Sequence, residues 1–405
     1  MLSLAEARAL LLADLPRPAT ETLPLPQCAA RILAQAVVAT HDQPPGPVSA
    51  MDGYAVRSAD AMADGALRLI GEAPAGAPFG GTVGPAEAVA IATGGVVPPG
   101  ADSILIQENV EREGDSIRIV ESPKAGEFIR LAGCDFGKGQ RLMSAGEVMA
   151  PARLALAAAA NVAALPLIRR PRIVVLPSGD ELREPGSELG PGMIVNSAAY
   201  AIEALVRDWG GEPRRLPILA DDPAATAASL SDCGEPADVI VTIGGASVGD
   251  RDFFRPAAER LGARIIFDKV AVRPGKPCWH ARFADGRLLL GLPGNPASAF
   301  VCAQLFLKPL LFALTGRDAL QAVKLSAARL DGRLAANGAR ESYFRAIAGF
   351  SADGRLVARA DPRQDSSLLT PLAAANALIR RQPHAPAAAA GDPIELLPIA
   401  ELESW

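Results

Sequence analysis

Aromatic residues make up only 4% of the 405-residue sequence, although 49% of it is hydrophobic. The cores must therefore be built mainly from Ala, Val, Leu and Ile, a composition suited to parallel strands and alanine-rich helices. Cysteine is also sparse: Cys28, Cys134, Cys233, Cys278 and Cys302 are odd in number and contain no C-x-x-C pair. That argues against a disulfide framework and a zinc site, and it fits a reducing, cytoplasmic setting. The three histidines, His41, His280 and His384, are too dispersed to suggest a metal cluster. Lys and Arg total 40 against 45 Asp and Glu, with no basic block and no interleaving of aromatic with basic residues, so nucleic acid is not expected as a partner. No run reaches the ~18 uninterrupted apolar residues of a membrane helix, and no membrane association is expected. The apolar start is broken by Glu6, Arg8 and Asp14 and has no basic n-region, so a signal peptide is not expected either. Ser3 and Glu6 instead form an S-x-x-E capping box for a helix.

The length exceeds that of one ordinary domain. Residues 1 to about 41 read as two helices, the second from about Cys28 to Thr40, ending at the turn-rich QPPGPVSAMDGYAV. From about Ala66 to Glu147, short strands separated by Gly, Pro and Asp predict an antiparallel β module, followed by an alanine-rich helix near 152–163. Between about Arg172 and Gly316 the strands RIVVL, RLPIL, DVIVTI, RIIF and RLLLGL alternate with helical patterns. This implies right-handed βαβ crossovers and a parallel sheet covered on both faces. Strand patterns return after about residue 320 and predict a small β-barrel or sandwich. The expectation is a multidomain α/β protein: a helical linker domain over 1–48 plus about 148–170, a β-rich domain over 49–147, a central parallel-sheet α/β domain over 171–318, and a C-terminal β-barrel domain over 319–405.

In an open parallel sheet, ligands gather beyond the carboxyl ends of the strands, where free N–H groups and helix dipoles attract anions. Strand DVIVTI runs into Gly244-Gly245-Ala246-Ser247-Val248-Gly249-Asp250, whose glycines let the backbone approach an oxyanion while Ser247 donates a hydroxyl. Strand RLLLGL runs into Pro293-Gly294-Asn295-Pro296-Ala297-Ser298. Either loop alone reads equally as a tight βα connection. Together they point to one site for a small phosphate-bearing anion. Arg273-Pro274-Gly275-Lys276-Pro277 adds two cations stiffened by prolines, the alternative being a solvated turn. Acids follow the same strands: Asp180 and Glu181, Asp221 and Asp222, Asp250 and Asp252. Carboxylates facing a phosphate call for an intervening cation, and Mg²⁺ is the natural inference. For Asp221-Asp222 before Pro223, helix capping is an equal alternative. The turns at Ser49–Ala55 and Thr93–Gly95 carry no specific chemistry on physical grounds alone.

Six segments in order, SAMDGYAV, IATGGVVPPGADSILIQE, SGDEL, IGGASVGDRDF, RPGKP and GLPGNPAS, make nearly the whole chain resemble the molybdopterin molybdenumtransferases, the MoeA type of bacteria and the E-domain of gephyrin. The resemblance implies a homodimer in which the α/β, molybdopterin-binding domain of one subunit faces the amino-terminal domains of the other across a shared active site. It further implies that adenylylated molybdopterin binds there, that molybdate is inserted, and that a pyrophosphate bond is cleaved with Mg²⁺ to release AMP. By matching positions, catalytic roles fall to Asp52, Thr93, Glu181, Asp222, Asp252 and Lys276, with Asp221 the alternative to Asp222. Mg²⁺ falls to Glu181, Asp221 and Asp252. Ligand binding falls to Gly244, Gly245, Ser247, Gly249, Asp250, Arg273, Pro293, Gly294, Asn295 and Ser298. A pterin-adenylylating protein and molybdoenzyme maturation factors are the further partners implied.

The chain departs from the family pattern at several points. Ser-Gly-Gly-Val-Ser appears as Ile243-Gly244-Gly245-Ala246-Ser247, and Thr-Gly-Ala as Thr93-Gly94-Gly95. Acids common in the family are replaced at Cys134 and near Val195. The missing acids motivate one competing reading, a catalytically weakened pterin-binding or scaffolding protein, and a nucleotide pyrophosphatase using the same α/β site is another. Binding without AMP release would mark the first, and molybdate-independent hydrolysis of dinucleotides the second.

Overall fold

Three hydrophobic strands, buried along nearly their whole length, form the centre of a six-stranded sheet, in the order Glu212–Arg215, Arg172–Pro177, Val239–Ile243, Leu288–Leu292, Trp279–Arg282, Arg264–Phe267. The computed structural model describes residues 1–233, 236–245 and 253–404. They divide into two units: residues 1–21 with those from 168 onward, and residues 22–167.

In the larger unit, alternate residues of the central strands feed two cores. Ile173, Val175, Val239, Val241, Leu288 and Leu290 pack on one face, and Val174, Leu176, Ile240 and Leu289 on the other. Helices Leu4–Leu12 and Ala198–Asp208 cover the first face, and helix Phe254–Arg260 covers the second. Burial on both faces explains why these strands read as continuous apolar runs. Two sequence expectations need correction. The first four strands are parallel, but Trp279–Arg282, absent from the expected strands, runs antiparallel to both neighbours, so the sheet is mixed. The second strand is Glu212–Arg215 rather than RLPIL: four polar or proline residues pair at a sheet edge, where half-burial suffices. In addition, helical residues 296–314 are apolar and long enough by composition to cross a membrane, with 78% of the stretch buried in the protein. Gln304 and Lys308 interrupt the run in sequence, and its buried Val301, Leu305, Phe306, Leu310 and Leu311 belong to the main core.

The carboxy-terminal strands Ser326–Leu330, Leu356–Ala360, Glu341–Phe350, Ala377–Arg381 and Pro393–Pro398 close into a barrel, because Glu341–Phe350 pairs with both Leu356–Ala360 and Ala377–Arg381. So small a barrel has room only for small and medium side chains. Ala328, Ala346, Ala348, Ala358, Ala377, Ile379 and Leu396 supply them. A short strand from the α/β region, Val272–Arg273, adds in parallel to Glu341–Ser342. Arg273 is thereby fixed against the barrel edge.

The capping box at Ser3 and Glu6 is formed, with Ser3 N–H donating to Glu6 at 2.8 Å and Glu6 N–H donating to Ser3 Oγ at 3.2 Å. At the other end of this helix the Arg282 guanidinium donates to the carbonyls of Leu10, Leu11, Ala13 and Asp14. Its Nε–H also donates to Nε2 of fully buried His280 at 3.3 Å, and that ring's Nδ1–H donates to Leu289 O at 2.9 Å. A protonated imidazole would turn an N–H toward this cation. Burial holds the His280 pKa down to about 4. The unfolded chain therefore takes up this proton near pH 6.5, while the folded chain refuses it until about pH 4. Stability from neutral His280 is complete above pH 6.5 and is lost as pH falls through 4, a contribution of roughly 3 kcal/mol. Urea unfolding of wild type and His280→Gln between pH 7.5 and 4 checks this. The variant should lose stability less steeply on acidification, and identical pH slopes would contradict the assignment.

The smaller unit is built on a second six-stranded sheet, ordered Ser103–Ile106, Gly53–Val56, Glu87–Ile91, Ala66–Ala73, Ser116–Ile119, Val110–Glu113. It is mixed rather than purely antiparallel, since Ala66–Ala73 and Glu87–Ile91 run parallel. The helix expected from Cys28 to Thr40 does not form. Ile32 and Leu33 make bridges to Val148 and Leu167, and Val37–Val38 pairs with Arg141–Met143. The apolar spacing of Cys28, Leu33 and Val37 is met by burial against Met143, Met149, Leu165 and Leu167. Strand partners and β-branched residues prevail here over helical propensity.

Candidate active site

Register brings three loops of the larger unit together. Pro177 pairs with Ile243 and Ile243 with Leu292, so the loops after these strands begin at one level. Ser178 N–H donates to Ile243 O at 3.0 Å and Gly244 N–H to Leu292 O at 3.3 Å. Gly244 has φ +94°, and any Cβ there would strike the Ser178 carbonyl oxygen, so only glycine lets these loops close up. Around them lies a cavity of about 840 Å³ lined by Ser178, Glu181, Asp221, Gly244, Gly245, Pro293, Gly294 and Asn295, with Leu182, Ile194, Val195 and Leu369 among its apolar contributors.

The acids divide. Asp221 lines the cavity, with one carboxylate oxygen accepting the Ser178 hydroxyl at 3.0 Å. Asp222 instead caps helix Pro223–Ser231, accepting the Ala225 amide at 2.7 Å, and it does not line the cavity. Asp180 accepts the Asp221 amide at 3.1 Å, which fixes the loop. Glu181 lines the cavity with its carboxylate folded beside Gly179 and with no hydrogen-bond donor on it among the described residues. Among those residues no three acids, histidines or cysteines gather into a metal cluster. The expected Ser247, Gly249, Asp250 and Asp252 lie outside the described residues.

A second cavity, of about 340 Å³, adjoins the first, and Pro277 lines both. It holds Arg273, Lys276 and Ser298 from the sequence analysis, together with Arg340, Ser342, Arg345, Gln364, Asp365 and Ser366 from the barrel domain. Gly275, at φ +114°, has no room for a side chain, because Cys302 Sγ occupies the place of a Cβ beneath the loop that carries the two cations. Arg273 and Lys276 have no carboxylate partner among the described residues. The one acid lining the cavity among the described residues, Asp365, has an oxygen accepting the Ser367 amide at 2.8 Å and its hydroxyl at 2.7 Å, and this holds its pKa below the usual carboxylate range. The described residues therefore present net positive charge to the cavity. Cys278 and Cys302 are fully buried beneath it, and burial pushes the Cys278 thiol up, so it is no nucleophile.

Asp52 and Thr93 meet in the smaller unit. Gly53 pairs with Ile91, so the turn before one strand abuts the turn after the other, and the Thr93 amide donates to Asp52 Oδ1 at 2.7 Å. That bond and the Thr93 hydroxyl hold Asp52 below the usual carboxylate range, so it is an anion at neutral pH. It lines a cavity of about 330 Å³ with Tyr54, Glu72, Gln107 and Arg112.

This architecture has known counterparts. Residues 2–161 match the MoeA N-terminal region (domain I and II), 174–313 a probable molybdopterin binding domain, and 327–399 the MoeA C-terminal region (domain IV). The molybdopterin molybdenumtransferase of Nostoc sp. is 37% identical over 332 residues, which span 80% of this chain and 76% of that one. The chain belongs to the molybdopterin molybdenumtransferase family. The family member of Haemophilus influenzae is 36% identical, with 78% of each chain covered. The crystal structure of a molybdopterin biosynthesis MoeA protein from Pyrococcus horikoshii superposes with a TM-score of 0.86 at 26% identity, covering 99% of this chain and 100% of that one. Family membership makes the chain a transferase of molybdenum cofactor biosynthesis.

Sequence reasoning did not single out Ser178, Asn196, Arg340, Arg345, Gln364, Ser366 or Ser367. The stretch DPRQDSS has the composition of a plain polar turn. Arg345 lies in a strand whose burial does not alternate, with Tyr343 buried and Ile347 exposed at the same parity, so the strand pattern gives no signal for it.

Proposed function

We propose that the chain inserts molybdenum from molybdate into adenylylated molybdopterin and releases AMP. The observation that carries this reading is the pair of adjoining cavities with opposite character. The smaller is ringed by Arg273, Lys276, Arg340 and Arg345 and suits a compact tetrahedral oxyanion. The larger has the size of a cofactor pocket, with apolar walls for a ring system and tight glycine loops for a phosphate.

Glu181 and Asp221 offer hard oxygen donors to the larger cavity, which fits Mg²⁺, an ion that commonly completes its shell with water and substrate phosphate. Bound there, Mg²⁺ would neutralise charge on a pyrophosphate. The chain's own groups do the rest. The Ser178 hydroxyl holds Asp221 in place, the cationic loop gathers the oxyanion, and Pro277 lies on the boundary between the two substrates. Placement and charge neutralisation are the main contributions asked of such a site. We assign Asp52 and Thr93 to the same reaction through a second copy of the chain in a homodimer, which accounts for a carboxylate held ionised at the rim of a separate cavity.

Equilibrium dialysis with molybdate alone tests the cationic cavity. Lys276→Met should weaken molybdate binding about tenfold, since a cation–oxyanion hydrogen bond contributes about 1.5 kcal/mol or more. Undiminished binding would remove the oxyanion from this cavity.

A further inference from the structure

Arg345 is 3% exposed, yet its guanidinium has no hydrogen-bonded acid among the described residues. Every bond it makes goes to one loop. Nη1–H donates to Leu368 O at 2.9 Å, Nη2–H to Arg363 O at 2.9 Å, and Nε–H to Gln364 Oε1 at 3.4 Å. The Arg345 amide donates to the same Gln364 oxygen at 3.0 Å, and Gln364 Nε2–H returns a bond to Arg345 O at 3.0 Å. Three backbone or side-chain acceptors spread along 363–368 are thus gathered onto one rigid planar fork, a geometry that the single ammonium of lysine does not reproduce.

That loop separates the two cavities. Gln364, Asp365 and Ser366 line the cationic one, and Ser367 and Leu369 line the larger one. Its crest is tied to the α/β loop after Leu288–Leu292: Asn295 Nδ2–H donates to Ser366 Oγ at 3.1 Å, and Ala297 N–H donates to Ser366 O at 3.2 Å. A buried guanidinium with no carboxylate hydrogen-bonded to it is costly to keep, and here its donors fix the course of a single loop.

We propose that Arg345 is a positioning residue: its buried fork holds the 363–368 loop as the wall between the two cavities, and so sets where the hydroxyls of Ser366 and Ser367 meet the oxyanion and the larger substrate. The identity of those substrates rests on the function proposed above, whereas the clamp itself does not.

The test uses the full chain with Arg345→Lys, Arg345→Met and Gln364→Ala, read by hydrogen exchange and by molybdate dialysis. In both Arg345 variants the amides of 366–368 and Ala297 should exchange about tenfold faster while the barrel strands keep their protection, and molybdate should bind about tenfold more weakly. Lysine should not rescue either property, and Gln364→Ala should move both in the same direction. Wild-type exchange and affinity in Arg345→Lys would overturn the proposal, because charge alone would then suffice. Unchanged loop exchange in all three variants would overturn it as well. Should Arg345→Met also loosen the barrel, Arg345→Lys and Gln364→Ala decide the matter. If the wild type binds no molybdate, the proposed function fails, and the exchange measurements still decide the clamp.

Discussion

Glu181→Gln should lower molybdenum insertion at least about a hundredfold, the scale lost when a preorganised electrostatic group is removed from a reacting centre. The side chain lines the 840 Å³ cavity, and no donor among the described residues occupies its oxygens, so the fold does not depend on its charge. Glutamine keeps the shape and removes an anionic ligand. The thermal midpoint should therefore stay at the wild-type value while the turnover number collapses. Turnover within about threefold of wild type would exclude Glu181 from the chemistry, that factor being well under 1 kcal/mol.

The second large effect concerns two inactive proteins that restore each other. Asp52→Ala and Glu181→Ala alter residues in different units of the chain. If a second copy supplies Asp52 to the site containing Glu181, each variant alone is inactive, but a mixed dimer carries one site with both acids intact. After equal amounts of the two are dissociated and reassociated, half the dimers are mixed and turnover should recover to about a quarter of wild type. No recovery, with mixed dimers demonstrated, would place both residues in the same subunit's site, and an active Asp52→Ala protein would remove Asp52 from the reaction.

The legible part of this molecule was whatever a linear pattern encodes. The apolar runs RIVVL, DVIVTI and RLLLGL mark strands buried on both faces, and the glycine and proline turns after them mark the ends where ligands gather. The capping box at Ser3 and Glu6 also formed as read. Tertiary partners decide the rest. Residues 28–40 have an apolar spacing that suits a helix, but partners from 141–148 and 165–167 draw them into strand bridges. Of Asp221 and Asp222, sequence left capping and ligand binding open for both, and the structure gives the cap to Asp222 and the cavity to Asp221. Arg345 was illegible for a related reason: what buries its side chain is a loop 18 or more residues further on, which the strand's own pattern does not encode. The barrel's share of the cationic cavity, Arg340, Gln364 and Ser366, becomes visible only once Val272–Arg273 is seen to join the barrel edge.

If the two adjoining cavities unite an oxyanion with an adenylylated pterin, molybdate and AMP release are coupled. The most direct measurement incubates the purified chain with adenylylated molybdopterin, molybdate and Mg²⁺ and follows AMP release together with molybdenum retained in the pterin. Stoichiometric AMP and molybdenum-loaded pterin, both dependent on molybdate, are the predicted result. Pterin binding without AMP release, or AMP release indifferent to molybdate, would contradict it.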